Sequence, residues 1–278
     1  MVVGIVGTGV VGSAAREYYA NAGFTVVTYD HATDEESAFE SLDAVSDVIL
    51  VCVSTPGTPQ GLSCANVKEV VMGINCCHTI GIKSTVMPGF TRRMAQMKQG
   101  YDIFYWPEFL DEDTAEEDFA NPRRPHVIGY DGPIPNSLKT ILETPGFLPP
   151  VEDTGSQIPL KSVYFTSTRN AELIKLGTNF YYGMRVAFAN IMADFGMSQD
   201  AIDIFKTDDR IGSWGLQVVH KGYRGYGGAC LPKDINALAV WSDNPFIKGL
   251  IAYNNKLLED QGLGQTGKRR QIPSESLR

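Results

Sequence analysis

At 278 residues, 43% hydrophobic and 20% charged, the chain has the make-up of an ordinary globular protein, long enough for one large α/β domain plus a smaller partner. A net charge of −8 with no Lys/Arg stripe argues against a binder of nucleic-acid backbones, and no apolar run approaches the ~20 residues needed to cross a bilayer. Only Lys268-Arg269-Arg270 is locally basic, which reads as a solvated end. The five cysteines (Cys52, Cys64, Cys76, Cys77, Cys230) are odd in number and lack metal-ligand spacing, so the expectation is no metal and a reducing, cytoplasmic setting. The chain opens directly on a strand pattern, so no signal peptide is expected.

Residues 2–6 form a short apolar run read as a buried strand, and residues 13–22 follow with a helical pattern. Between them lies Gly7-Thr8-Gly9-Val10-Val11-Gly12, a G-x-G-x-x-G turn in its required strand–turn–helix setting. Gly7 permits the tight turn, Gly9 lets a pyrophosphate approach the backbone, and Gly12 lets helix and strand pack closely. A second strand, 24–29, ends at Asp30, eighteen residues past Gly12. A carboxylate there accepts both hydroxyls of an adenosine ribose and repels a 2′-phosphate, so the expected cofactor is NAD rather than NADP.

The next strand, 47–53, stops at Val53-Ser54-Thr55-Pro56, small residues expected to line the crevice beyond the carboxyl ends of a parallel sheet. A crossover helix at 67–74 leads to a strand at 79–83 and then to Ser84-Thr85. Thr85 reads either as a ligand-side hydroxyl or as a simple turn cap. A strand at 101–106 runs into Pro107-Glu108-Phe109-Leu110-Asp111-Glu112. A helical turn there would stack Glu108 and Glu112 on one face, and two close acids push one pKa upward. The acids at 113 and 116–118 read as a solvated face. A strand at 126–129, a helix at 134–142 and a last strand at 147–151 complete the sheet domain.

From Thr168 the pattern changes to helix. Leu173, Leu176, Phe180, Met184, Phe188, Ile191 and Phe195 recur at helical spacing, predicting one helix of roughly 40 Å. Glu172, Lys175 and Asn179 share another face, and a lysine pointing back at the sheet would act as an electrophile for a developing oxyanion. Helices are predicted at 198–205, 231–241 and 246–259, and residues 261–278 read as a poorly ordered tail. Before the second of these comes Gly225-Tyr226-Gly227-Gly228-Ala229-Cys230-Leu231-Pro232-Lys233-Asp234. A glycine turn delivers one cysteine to a helix start, with Pro232 suited to the first turn, and a helix N-terminus favours negative charge on such a sulfur. Asp234 shares its helix face. The alternative reading of Cys230 is a small buried residue of a glycine loop.

Gly7-x-Gly9-x-x-Gly12, Val53-Ser54-Thr55-Pro56, Ser84-Thr85-Val86-Met87-Pro88-Gly89, Pro107-Glu108-Phe109-Leu110, Ala171-Glu172-x-x-Lys175-x-x-x-Asn179 and Gly227-Gly228-x-Cys230-x-Pro232-Lys233-Asp234 occur in that order over residues 1 to about 260. The set resembles the UDP-glucose/GDP-mannose dehydrogenase family, and its last motif is the most specific. The resemblance implies a Rossmann-type parallel sheet domain (1–165) that binds NAD, then an all-helical domain built on the long helix (166–260). It also implies oxidation of a nucleotide-sugar C6 alcohol to a carboxylate. Cys230 would form a thiohemiacetal and then a thioester, and Lys175 and Asn179 would stabilise the oxyanion. Asp234 and Thr85 would position a water, with Glu112 assisting hydrolysis. Gly7, Gly9, Val10, Val11, Gly12, Asp30, Val53, Ser54, Thr55 and Thr85 would hold the cofactor. Glu108, Phe109, Leu110, Lys175, Asn179 and Gly227 would face the substrate.

A homodimer through the long helix is implied as well. The sequence departs from the family at Asp111-Glu112-Asp113, where Arg-Glu-Gly is usual, and at Asn190-Ile191. Against the family pattern the chain is expected to be a short form lacking the C-terminal nucleotide-sugar domain, with turnover needing a second chain or a smaller substrate. Two other readings compete: a two-electron hydroxyacid-type dehydrogenase with Lys175 as base, and a catalytically weak NAD-binding protein.

Overall fold

The computed structural model describes residues 1–122, 125–150 and 163–268. The chain divides into two compact units, one made of Met1–Pro56 and Ser63–Lys175, the other of Gly57–Leu62 and Leu176–Arg278.

The first unit is a seven-stranded sheet flanked by helices. In chain order its elements are β1 (Val2–Val6), α1 (Val10–Asn21), β2 (Thr25–Tyr29), α2 (Glu36–Val45) and β3 (Val48–Val51). A small hairpin, β4 (Gly57–Thr58) and β5 (Gly61–Leu62), belongs to the second unit. The first unit resumes with α3 (Ala65–Gly73), β6 (Thr79–Ile82), α4 (Phe90–Met97), β7 (Asp102–Tyr105), α5 (Ala115–Ala120), β8 (His126–Gly129), α6 (Asn136–Glu143) and β9 (Val163–Thr166). The strand order is β2-β1-β3-β6-β7-β8-β9, parallel except that β8 meets β7 antiparallel through Tyr105 and Gly129.

The apolar runs form strands because both faces are covered. Ile49 and Val51 pack on one side with Ile80, Ile82 and Val71, while Val48 and Leu50 pack on the other with Ile5, Phe104 and Trp106. The expected strand at 147–151 is not formed. Residues 147–150 turn instead, Val151 lies outside the described residues, and β9 is the strand that pairs with β8. Phe147 buries its ring by stacking on Tyr19 at 5.4 Å between ring centres, and Tyr19 Oη donates to the Phe147 carbonyl at 3.0 Å. Its apolar character serves packing under α1 rather than sheet pairing, a distinction that a short apolar run does not carry.

Helix α7 (Thr168–Asp194) begins in the first unit and continues in the second. The second unit then adds α8 (Gln199–Phe205), the hairpin β10 (Val219–His220) and β11 (Tyr223–Arg224), α9 (Leu231–Ser242) and α10 (Pro245–Asp260). That short hairpin is strand structure in a region expected to be helical. Ser198 caps α8 by accepting from the Ala201 N–H, and Asn244 caps α10 by accepting from Phe246. Of the segment read as a tail, residues 269–278 lie outside the described residues, and the Thr266 carbonyl accepts from the Gly228 N–H at 3.1 Å.

The β1–α1 turn is tight enough to test. Gly7 has φ +92°, and a Cβ on Gly12 would sit 1.8 Å from the Gly7 carbonyl oxygen. Gly12→Ala is therefore expected to cost at least about 1–3 kcal/mol, measured by denaturant unfolding.

Candidate active site

At the mouth of the β1–α1 turn, the two glycines that flank Val10 and Val11 do opposite things. Gly12 is closed by backbone, whereas a Cβ on Gly9 would meet nothing within 4 Å, so that side of the turn is open. Val10 is 46% exposed beside it, and the first N–H groups of α1 have no intrahelical acceptor. This is the cradle a pyrophosphate requires. At the end of β2, Asp30 Oδ2 accepts from the Thr8 N–H at 2.8 Å and from Thr8 Oγ1 at 2.9 Å, and Oδ1 accepts from the Ala32 N–H at 3.1 Å. The Thr8 and Ala32 N–H groups and the Thr8 hydroxyl hold this carboxyl below the usual carboxylate range. An ionised carboxylate offers about four acceptor sites, so with three taken one remains for a ribose hydroxyl. The residues fit NAD.

Beyond β3 and β6, Ser84 Oγ donates to the Val53 carbonyl at 2.6 Å and lies within 3.2 Å of the Val51 carbonyl, joining the two strand ends. Thr55 and Thr85 are buried, while Ser54 is exposed and its carbonyl accepts from Asn66. Glu172, fully buried on α7, accepts from the Gly89 and Thr91 N–H groups and so caps α4 from a distance. Burial pushes its carboxyl up against the pull of those donors.

Lys175, one turn further along α7, donates to Glu108 Oε1 at 2.8 Å, and its ammonium lies 5.4 Å from the centre of the Phe109 ring. Glu108 Oε2 accepts from the Leu110 N–H at 2.7 Å. The helical turn expected to stack Glu108 on Glu112 is absent. Residues 106–111 are irregular, α5 starts only at Ala115, Glu112 is exposed, and Pro107 favours an extended residue before it. Glu108 does not titrate high either. Burial raises its carboxyl, but the Lys175 charge and hydrogen bond, the Leu110 N–H and Lys83 together bring it below the usual range.

Lys83 is a buried charged group that sequence reasoning missed here. It is buried at the end of β6, with Nζ donating to the Trp106 carbonyl at 3.4 Å and lying 3.7 Å from the centre of the Trp106 ring. Burial lowers this ammonium to about 8, and it pushes the neighbouring Cys52 thiol up to about 12.

In the second unit, Asp234 has no exposed surface and is held from both sides. Asn179 Nδ2 donates to Oδ2 at 2.6 Å, and Lys233 Nζ reaches Oδ1 at the same distance. Asp234 stands in the first turn of α9, whose N-cap is Cys230, and the Asp234 N–H donates to the Cys230 carbonyl at 3.1 Å. Cys230 is exposed, not buried in its glycine loop. Gly227 is half-buried, with space for a Cβ closed by the Tyr223 hydroxyl at 2.6 Å. The predicted residues thus gather in four groups: the glycine turn with Asp30, the ends of β3 and β6, the Lys175–Glu108 pair, and Asn179–Asp234 beside Cys230. Glu112 joins none of them.

Two outcomes test this geometry. Gly9→Ala leaves the unfolding midpoint unchanged and weakens NAD binding in calorimetry, because its Cβ fills only the open cradle. Lys83 has its folded pKa, about 8, below the ordinary 10.5, so the unfolded chain binds more protons between those values and stability rises with pH across that window. Relative to Lys83→Met, the wild-type stability is expected to climb by up to roughly 3 kcal/mol from pH 8 to 10.5, read by denaturant unfolding at each pH.

Two family models match the chain: the NAD binding domain of the UDP-glucose/GDP-mannose dehydrogenase family over residues 32–140, and the central domain of the same family over residues 169–255. A UDP-glucose 6-dehydrogenase from Campylobacter jejuni is 29% identical over 250 residues, covering 87% of this chain and 55% of the relative. Another from Rhizobium meliloti is 33% identical over 214 residues, 70% of this chain and 46% of the relative. The chain spans about half the length of these curated relatives. Among solved structures, a UDP-glucose dehydrogenase from Pyrobaculum islandicum superposes with a TM-score of 0.73 at 22% identity, over 94% of this chain and 71% of that one, which establishes the fold. With NAD as the cofactor of its sheet unit, the chain belongs to the UDP-glucose/GDP-mannose dehydrogenase family.

Proposed function

We propose that the protein oxidises the C6 alcohol of a nucleotide sugar to a carboxylate, with Cys230 as the covalent nucleophile. The observation that carries this reading is the arrangement at the start of α9. A fully buried Asp234 is fixed by Asn179 and Lys233, in the helix whose N-cap is an exposed cysteine. A carboxylate so constrained is suited to orienting a water or a proton rather than to packing. The membership of both described units in one dehydrogenase family supports the same reading.

NAD, when bound, supplies the hydride acceptor, one molecule for each of two successive two-electron oxidations, so one alcohol, one water and two NAD+ give one carboxylate, two NADH and three protons. Cys230 Sγ adds to the aldehyde carbon left by the first oxidation, forming a C–S bond and a thiohemiacetal. Oxidation of that adduct leaves a thioester, and water cleaves the C–S bond to release the acid and restore the thiol. Lys175 and Asn179 stabilise negative charge on the reacting oxygen through both halves. Asp234 and Thr85 position the water that takes up protons, and Glu112 assists thioester hydrolysis. Gly9, Val10 and Asp30 hold the cofactor, with Val53, Ser54 and Thr55 along its crevice, while Glu108, Phe109, Leu110 and Gly227 meet the sugar. Exposed apolar residues on α7, among them Tyr181 and Phe188, support pairing of two copies through that helix in a cytoplasmic protein.

NADH formation on a panel of UDP- and GDP-sugars tests the reading, with two NADH expected per sugar consumed. Cys230→Ser and iodoacetamide both stop release of the acid. Lys175→Met, which removes the oxyanion donor, lowers kcat by about 10²–10³. One NADH per substrate with Cys230→Ser fully active refutes the covalent route.

A further inference from the structure

Arg224 ends β11, and Tyr226 lies two residues on, beyond the bend at Gly225. Apart from β10, no strand pairs with β11 among the described residues; α10 and its capping residue offer two carboxamides instead. Asn254 Oδ1 accepts from the Tyr226 N–H at 2.7 Å, and its Nδ2 donates to the Tyr226 carbonyl at 2.9 Å. Gln261 Oε1 accepts from the Arg224 N–H at 2.8 Å, and its Nε2 donates to the Arg224 carbonyl at 3.0 Å. Asn254 lies within α10 and Gln261 is the residue that caps its C-terminus. Asn254 is buried. Gly225 between the two gripped residues has φ +89°, and a Cβ there would come within 2.8 Å of Asn254 Oδ1. The glycine that frees the backbone also admits the carboxamide.

We infer that Asn254 and Gln261 are positioning residues that hold the Arg224–Tyr226 backbone, and with it the glycine loop that delivers Cys230. The inference rests on the covalent role proposed for Cys230. Only a carboxamide serves, because each side chain both accepts from an N–H and donates to a C=O of one residue. A carboxylate accepts but cannot donate, and it sets an anion against the carbonyl. Arg224 is further secured by its guanidinium, which donates to the Asn190 side chain and carbonyl and to Asp194. The grip therefore acts on a segment already anchored at one end, and its effect falls on the four residues leading to Cys230.

The test is Asn254→Asp and Gln261→Glu in the full chain, near-isosteric changes that each remove the donation to the gripped carbonyl; Gln261→Glu also gives up the Nε2 bond to the Leu257 carbonyl. Amide hydrogen exchange across residues 223–230 is expected to accelerate about tenfold, the scale of one lost hydrogen bond, while the β1, β3 and α1 peptides keep their rates. Carbamidomethylation of Cys230 by iodoacetamide is expected to change at least about threefold with Cys76 as the unaffected exposed reference, since loop position sets thiol reactivity. The kcat for NADH formation is expected to fall about tenfold with the NAD dissociation constant unchanged, because cofactor binding lies outside the gripped segment. Unchanged exchange in both variants overturns the inference, as does faster exchange with Cys230 reactivity and kcat both unaltered. Should Asn254→Asp fail to fold, Gln261→Glu at the end of α10 gives the same readouts. A wild-type chain that makes no NADH refutes the proposed activity instead, and exchange with Cys230 labelling then decides the grip by itself.

Discussion

Two charged side chains one turn apart on α7 are withdrawn from water, and each is answered by a loop that leaves the sheet. Glu172 takes the N–H groups of Gly89 and Thr91, and Lys175 takes Glu108. Desolvating an ion costs several kcal/mol unless partners replace the water, so neither contact can be given up alone without stranding a buried charge. The start of α7 and the loops after β6 and β7 are fixed as one piece for that reason. Thr85 lies on the first of these loops, beside Ser84, which is tied to the end of β3, and Glu108 lies on the second, where Lys175 of the helix holds it.

The same constraint shapes the local field. Lys83 and Lys175 are two buried cations set against one carboxylate, with Trp106, Phe119 and Phe109 as walls. Glu172 is a second buried carboxylate one turn away from Lys175, so the charges largely balance, and what is fixed is the place of each ammonium, which suits a step in which an oxygen gains negative charge beside it. On the proposed mechanism that placement costs no reorganisation when the reaction occurs, because it is installed when the protein folds. The strain of keeping it is visible in Lys83, whose ammonium is lowered to about 8 by burial.

Much of this was legible in the residues. The strand–turn–helix around Gly7, Gly9 and Gly12, the long helix from Thr168, the serine cap of α8 and the cysteine at a helix start all announce themselves through local rules of spacing and conformation. What escaped depended on partners distant in sequence. Phe147 has the apolarity of a strand residue and spends it on Tyr19. Glu108 and Glu112 have helical spacing, but Pro107 precedes them and Lys175 claims one of them from 67 residues away. Lys83 looks like the polar end of a strand, and nothing in its neighbours states that Trp106 will lie over its ammonium. The carboxamides of Asn254 and Gln261 read as ordinary surface amides of a helix until the backbone they grip is seen.

Thr8, an unremarked position within the glycine turn, gives Asp30 two of its three hydrogen bonds. The acid proposed to sort one dinucleotide from its phosphorylated relative is thus bound to the same turn that is proposed to cradle the pyrophosphate. Exchanging Asp30 for a small or basic residue would leave the hydroxyl and N–H of Thr8 without their acceptor and loosen the cradle at the same stroke. An engineer seeking to switch the coenzyme must therefore rewrite the pair, and natural drift between the two coenzymes faces a two-step path whose midpoint binds neither well.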